Sequence, residues 1–123
     1  MHATGGSVEF DRCIFHSNVS NDHGSVFYWN SSGSLVMKNC LVYENDAVDD
    51  ADIYIGNGTN TITNCTFADN ADCGEATIYS LGGTTTINNC IFDENVTDDD
   101  VKRGAGTLTL NKCMYDSKGS GVT

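Results

Sequence analysis

Residues 62–70 read ITNCTFADN and residues 87–95 read INNCIFDEN, one nine-residue phrase repeated 25 positions later. Working outward, FDRCIFHSN (10–18), MKNCLVYEN (37–45) and LNKCMYDSK (110–118) are variants of it. Cys13, Cys40, Cys65, Cys90 and Cys113 therefore follow one another at intervals of 27, 25, 25 and 23 residues. A period of this length is the mark of a solenoid, in which each repeat is one coil that cannot bury its apolar side alone and stacks on its neighbours. Apolar residues stand three before the cysteine (Phe10, Met37, Ile62, Ile87, Leu110) and two after it (Phe15, Val42, Phe67, Phe92, Tyr115). Alternation on each side reads as strand, but the step from the first set to the cysteine breaks the parity. A bend must fall just before the cysteine, where Asn39, Asn64, Asn88 and Asn89 cluster. Asparagine tolerates the left-handed backbone such a bend needs.

Five residues after the cysteine come Asn18, Asn45, Asn70 and Asn95, with Lys118 in the fifth coil. Asparagines at equivalent corners can stack, each amide bonding to the next. An acidic loop follows, then a third apolar segment: GSVFYW (24–29), ADIYIG (51–56) and ATIYSL (76–81). The spacing predicts Gly24, Ala51 and Ala76, then Val26, Ile53 and Ile78, then Tyr28, Ile55 and Ser80 inward, and Phe27, Tyr54 and Tyr79 outward. NSSGS, GNG and LGG turn the chain into the next coil. The expected fold class is all-β: a right-handed parallel β-helix, a solenoid of about five coils of ~25 residues with three short strands per coil. Each strand pairs with its equivalent one coil away, and the crossovers are right-handed. Residues 1–123 form a single domain. In the fourth coil the loop NVTDDDVKRGAG is two residues shorter, so its third strand is expected to be weak or lost. The last coil stops after its second strand, which leaves unpaired edges at both ends. That predicts a segment of a longer solenoid, paired with further coils of the same polypeptide, or end-to-end self-association.

Seventeen Asp and Glu against six Lys and Arg leave a net charge of −11. This argues against nucleic acid and against an anionic membrane surface, and no stretch is long and apolar enough for membrane insertion. Six cysteines in a short acidic chain fit either a disulfide framework or stacked thiols. Five recur at one repeat position, so a buried column of thiols is expected, cysteine behaving as a small hydrophobe. Cys73, in ADNADCGEA, is left as the one exposed thiol. No CxxC or Cys/His pair has zinc spacing. The opening MHATGG lacks the parts of a secretory signal; an export signal would precede it, Met1 then being an added start.

The stretch ATIYSLGGTTTINNCIFDEN (76–95) resembles the repeats of polymorphic outer-membrane-protein-like and adhesin-like surface proteins, including the Asn/Thr-rich surface proteins of methanogens, with their GGA-I and F-x-x-N elements. The second element stands at Phe15–Asn18, Phe67–Asn70 and Phe92–Asn95, with Val42–Asn45 a variant, and the first is present in degraded form as HGSV, DADI and GEATI. The resemblance covers nearly the whole chain. It implies an extracellular or cell-surface repeat domain that acts as a rigid stalk or a ligand-display face and catalyses no reaction. Its partner would be a glycan or a protein of a host or cell surface.

Four surface features are candidates for contact. The outward aromatics Phe27, Tyr54 and Tyr79, with Trp29 nearby, would offer a sugar ring apolar area with a polar handle, or would pair across strands for stability alone. Carboxylates gather in the loops as Asp46, Asp49, Asp50 and Asp52, then Asp69, Asp72 and Glu75, then Asp98, Asp99 and Asp100. Stacked on one edge they would suit Ca²⁺, which takes several hard oxygen ligands, or would form a solvated acidic edge. No D-x-D-x-D-G loop is present, and no other cofactor is expected. Thr59/Thr61, Thr84/Thr86 and Thr107/Thr109 form a T-x-T array similar to that of β-helical ice-binding proteins, although threonine is also a good exposed strand residue. Ile14, Leu41, Ile91 and Met114, interrupted by Thr66, make an apolar stripe for a neighbouring domain or another copy.

Parallel β-helices also host pectate lyases and polygalacturonases, so a carbohydrate-binding or polysaccharide-active fragment is the alternative. A lyase needs Ca²⁺ carboxylates beside a basic arginine, and a hydrolase needs paired carboxylates in a cleft. Only Arg12 and Arg103 are present, and His2, His16 and His23 lie in no nucleophile motif. No catalytic residues are expected.

Overall fold

A computed structural model of the chain describes residues 1–72 and 74–123, the side chain of Asp72 excepted. The exposed thiol expected at Cys73 lies outside the described residues. The chain opens with β1 (His2–Ala3). The first coil carries β2 (Val8–Asp11), β3 (Ile14–His16), β4 (Val19–Ser20) and β5 (Phe27–Trp29). The second carries β6 (Leu35–Lys38), β7 (Leu41–Tyr43), β8 (Asp46–Ala47) and β9 (Ala51–Ile55), and the third β10 (Thr59–Thr63), β11 (Thr66–Ala68), β12 (Ala71–Asp72) and β13 (Ala76–Ser80). Then come β14 (Thr84–Asn88), β15 (Ile91–Asp93), β16 (Asp99–Arg103) and β17 (Thr107–Asn111).

Every strand pairs in parallel with its equivalent in the adjoining coil. The sheets run β1-β5-β9-β13-β16, β2-β6-β10-β14-β17, β3-β7-β11-β15 and β4-β8-β12. Three of these are the expected sheets. The fourth consists of two-residue strands directly after the asparagine corner.

The bend before each cysteine is where the broken parity put it. Arg12, Asn39, Asn64, Asn89 and Lys112 all have φ between 53° and 55°. Left-handed backbone costs a non-glycine residue about 1–2 kcal/mol, and it persists because the strands on either side are held by stacking. A second bend follows four residues after the cysteine, at Ser17, Glu44, Asp69 and Glu94, with φ of 51–53°. Turn glycines complete the coil. Gly83 has φ 70°, and a Cβ there would run into the Gly58 carbonyl of the adjoining coil.

Like stacks on like inside. Met37, Ile62 and Ile87 form one fully buried column, Val42, Phe67 and Phe92 another, and the rings of Phe67 and Phe92 lie 4.8 Å apart and nearly parallel. Cys40, Cys65 and Cys90 are buried, while Cys13 and Cys113 at the ends are half-buried, and all five are free thiols. Each buried thiol donates to the carbonyl two residues earlier, Cys40 to Lys38 at 3.1 Å, Cys65 to Thr63 at 3.3 Å and Cys90 to Asn88 at 3.2 Å. Burial pushes the Cys40 thiol up. The Cys90 thiol is pushed up by its hydrogen bond with Cys65 and then by burial.

The asparagine corner forms a continuous ladder. Asn18 Nδ2 donates to Asn45 Oδ1 at 2.8 Å, Asn45 Nδ2 to Asn70 Oδ1 at 3.0 Å and Asn70 Nδ2 to Asn95 Oδ1 at 3.0 Å. The same oxygens accept the backbone N–H of the preceding asparagine in the ladder, as in Asn45 N to Asn70 Oδ1 at 3.1 Å. Asn45 and Asn70 are completely buried, so these bonds satisfy groups that would otherwise cost about 1–3 kcal/mol each.

Three expectations need correction. The third strand of the fourth coil is not lost: β16 spans five residues and pairs with β13, Val101 opposite Ile78 and Arg103 opposite Ser80. The two missing residues fall between the bridge from Ala71 to Val96 and the pair Ala76–Asp99, so the strand itself keeps register. The chain also does not stop after the second strand of the last coil. Residues 114–123 fold across the end, where Val122 is buried and Thr123 exchanges backbone bonds with Leu108 and Leu110. In the first coil, finally, Phe27 pairs with Ile53, Tyr28 with Tyr54 and Trp29 with Ile55. Phe27 and Trp29 are therefore core residues, each 1% exposed. One of the two extra residues of this coil lies before β5 rather than after it, and a slip of one residue exchanges the two faces of a strand.

Candidate functional site

The outward face of the sheet that begins with β1 carries a single cross-strand line: His2, Tyr28, Tyr54, Tyr79 and Lys102. Tyr54 and Tyr79 stand on the expected face, whereas Tyr28, expected inward, takes the outward place expected for Phe27 because of the same one-residue slip. Tyr28 and Tyr54 stack at 4.9 Å with planes 6° apart, and Tyr79 meets Tyr54 edge-on at 5.7 Å. Tyr54 is only 8% exposed, because His23 lies over it at 5.1 Å and 29°. Burial, followed by the neighbouring Tyr28 and Asp50, pushes its hydroxyl pKa up. His23 is the functional-looking residue that spacing alone did not mark. Its only signal is its position five residues before the first tyrosine of the line.

The acidic residues do not form one edge. Asp52 is completely buried and accepts from the Ser25 hydroxyl. Asp100, 4% exposed, accepts from Asn95 Nδ2 at 3.1 Å and from the backbone N–H of Asp116 at 2.7 Å and Ser117 at 3.3 Å. It thus fastens the closing tail. Asp50 pairs with His23 and Glu75 with Lys102, while Asp49 and Asp98 face solvent. Asp99 has its pKa raised by burial, then by the charges of Asp98 and Asp100. Among the described residues, no three His, Cys, Asp or Glu side chains converge as a metal would require; the side chain of Asp72 lies outside them.

Two other surface lines keep their register. Thr59, Thr84 and Thr107 pair in sequence, as do Thr61, Thr86 and Thr109. The apolar stripe follows Ile14, Leu41, Thr66, Ile91 and Met114, with Ile14 62% and Met114 57% exposed. Arg12 pairs with neighbouring Asp11 at 3.3 Å, and Arg103 donates to the Gly106 carbonyl at 2.9 Å. Neither arginine meets a pair of carboxylates in a cleft among the described residues. No described helix is long and apolar enough to cross a membrane.

Stacked parallel sheets, inward ladders and surface lines one residue wide define a right-handed parallel β-helix whose accessible chemistry lies along its length. Family comparison agrees, since the family described as right handed beta helix region matches residues 1–122. The chain belongs to that family. No curated protein and no solved structure matches it.

Proposed function

We infer that the chain is a non-catalytic section of an adhesin-like protein exposed at a cell surface, serving as a rigid scaffold that displays contacts along its flank. The observation that carries this reading is the unbroken register of the surface lines from coil to coil. A parallel β-helix with a filled core is stiff along its axis, and each outward position becomes a row of groups at about 4.8 Å spacing. Asp52 and Asp100, two of the loop carboxylates, are engaged in holding the coils together, and neither Arg12 nor Arg103 stands beside a pair of carboxylates in a cleft among the described residues. The test is surface labelling: antibody raised against the chain should bind intact source cells, and a signal found only after lysis would end the reading. Incubated with polygalacturonate and Ca²⁺, the chain should release no unsaturated products; their release would favour the polysaccharide-active alternative.

A further inference from the structure

The line of tyrosines is flanked by carboxylates, and the chain places its own nitrogen groups against it. His23 lies over Tyr54 and, at 5.9 Å and 28°, over Tyr28. One of its ring nitrogens meets Asp50, and the other stands 3.3 Å from Asp22. Further along, Lys102 follows Tyr79 in the line and its ammonium meets Glu75. Beside Tyr28 and His23 a cleft of about 410 Å³ opens, bounded by His2, Ser20, Asp22 and Gly24.

This is a seat for a flat cation. Aromatic faces attract positive charge through their quadrupole. Carboxylates on two sides of a planar group match N–H donors in its plane, and guanidinium supplies both the plane and the fork of donors, whereas an ammonium is a compact point charge. A neutral sugar would stack on the rings but offer the two carboxylates no charge-assisted hydrogen bond. The net charge of −11 draws basic partners from a distance.

We propose that the seat formed by Tyr28, Tyr54, Asp22 and Asp50 binds an arginine side chain presented by an extended segment of a partner protein. His23 is the internal stand-in, and the entering guanidinium displaces it. The proposal rests on the reading of the chain as a display scaffold and names what one of its faces takes.

The probe is a hexa-arginine peptide titrated against the intact chain by calorimetry. Saturable binding is expected. Tyr28→Ala should weaken it about two- to fivefold, as one exposed cation–π contact implies. The double variant Asp22→Asn/Asp50→Asn should weaken it further, and asparagine suits the left-handed φ of 62° at residue 50. His23→Ala should tighten binding, because it vacates the seat. Asp69→Asn/Asp93→Asn removes the same charge from exposed positions at the ends of β11 and β15, on another side of the coil, and should leave the saturable binding unchanged. Hexa-lysine should bind several-fold more weakly. If the two double variants behave alike, the attraction is general and the seat is refuted. Equal binding of hexa-lysine refutes guanidinium recognition, and cellohexaose binding that Tyr28→Ala abolishes would make the face a sugar platform. None of these failures would alter the surface-labelling result, so the scaffold reading stands or falls separately.

Discussion

The middle coils and the two ends are built from the same phrase, yet only the middle is fully packed. Phe67 and Phe92 are buried, whereas Phe15 and Tyr115, at the same repeat position, are half-buried. The same contrast separates Cys65 and Cys90 from Cys13 and Cys113, and Ile62 and Ile87 from Phe10 and Leu110. Burial in this fold therefore belongs to the neighbours rather than to the residue. A side chain in this solenoid is inside only when chain covers it on both sides, whether a neighbouring coil or, for Leu108 on β17, the tail that folds over it. The ends also differ from each other. At one, Val122 and Thr123 close over β17. At the other, Phe10, Phe15 and Phe27 pack on one another, with centroids 4.9–5.4 Å apart.

The sharpest test of the contrast is paired truncation. Phe67→Ala should destabilise the chain by about 3–5 kcal/mol, the range for deleting a buried ring, and Phe15→Ala by clearly less, both read from urea unfolding. Equal losses would mean that position in the stack does not matter. Next in size is the asparagine ladder. Asn70 donates to Asn95 and to the Val42 carbonyl at 3.1 Å and accepts from Asn45, so Asn70→Ala should cost about 1–3 kcal/mol. Asn18→Ala, at the exposed head of the ladder, should cost less than half of that in the same assay. Thiol labelling probes the same division without mutation. Under native conditions iodoacetamide should modify Cys13 and Cys113 before Cys40, Cys65 and Cys90, as followed by peptide mass spectrometry. Modification of Cys65 at the rate of Cys113 would contradict the buried column.

The smallest effect concerns Asp99. Its folded pKa is raised, so in the window just above the ordinary aspartate value of 3.8 the native state holds more protons than the unfolded state. Stability contributed by this group is therefore lost as pH rises through that window. Asp99→Asn should raise Tm at pH 7 slightly and bring no gain at about pH 3.5, below both values. A variant whose melts show the same offset at both pH values would show that neither the burial of Asp99 nor its crowding by Asp98 and Asp100 has an energetic consequence.

Much of the architecture was legible because the repeat reports itself. The column positions, the asparagine ladder and the bend before the cysteine all come from one alignment of five phrases. Where the repeat length changes, the sequence does not say which loop absorbs the difference. The pairing of Tyr28 with Tyr54 is offset by 26 residues, between the 27 of Ile14–Leu41 and the 25 of Val36–Thr61. The two extra residues are thus shared between two loops, and that division moved Phe27 and Trp29 inward. In the fourth coil, Val101 keeps its place in the core because the shortening is confined to the loop. The bends at Ser17, Glu44, Asp69 and Glu94 carry no asparagine and gave no signal. His23 sits in the loop that carries one of the first coil's extra residues, and the loops at the same place in the later coils hold no histidine, so no comparison between repeats could place it over the tyrosines.

The asparagine ladder has a direction. In each link from Asn18 to Asn95 a side-chain N–H points toward the later coil, and the final amide, that of Asn95, ends on the carboxylate of Asp100. Aligned amides polarise one another, and their dipoles add along the axis. The row thus ends with a negative charge at its positive pole, as an anion sits at the amino end of a helix. The row of amides is therefore polar along the axis, and the carboxylate at its last link offsets the charge that the aligned dipoles gather there.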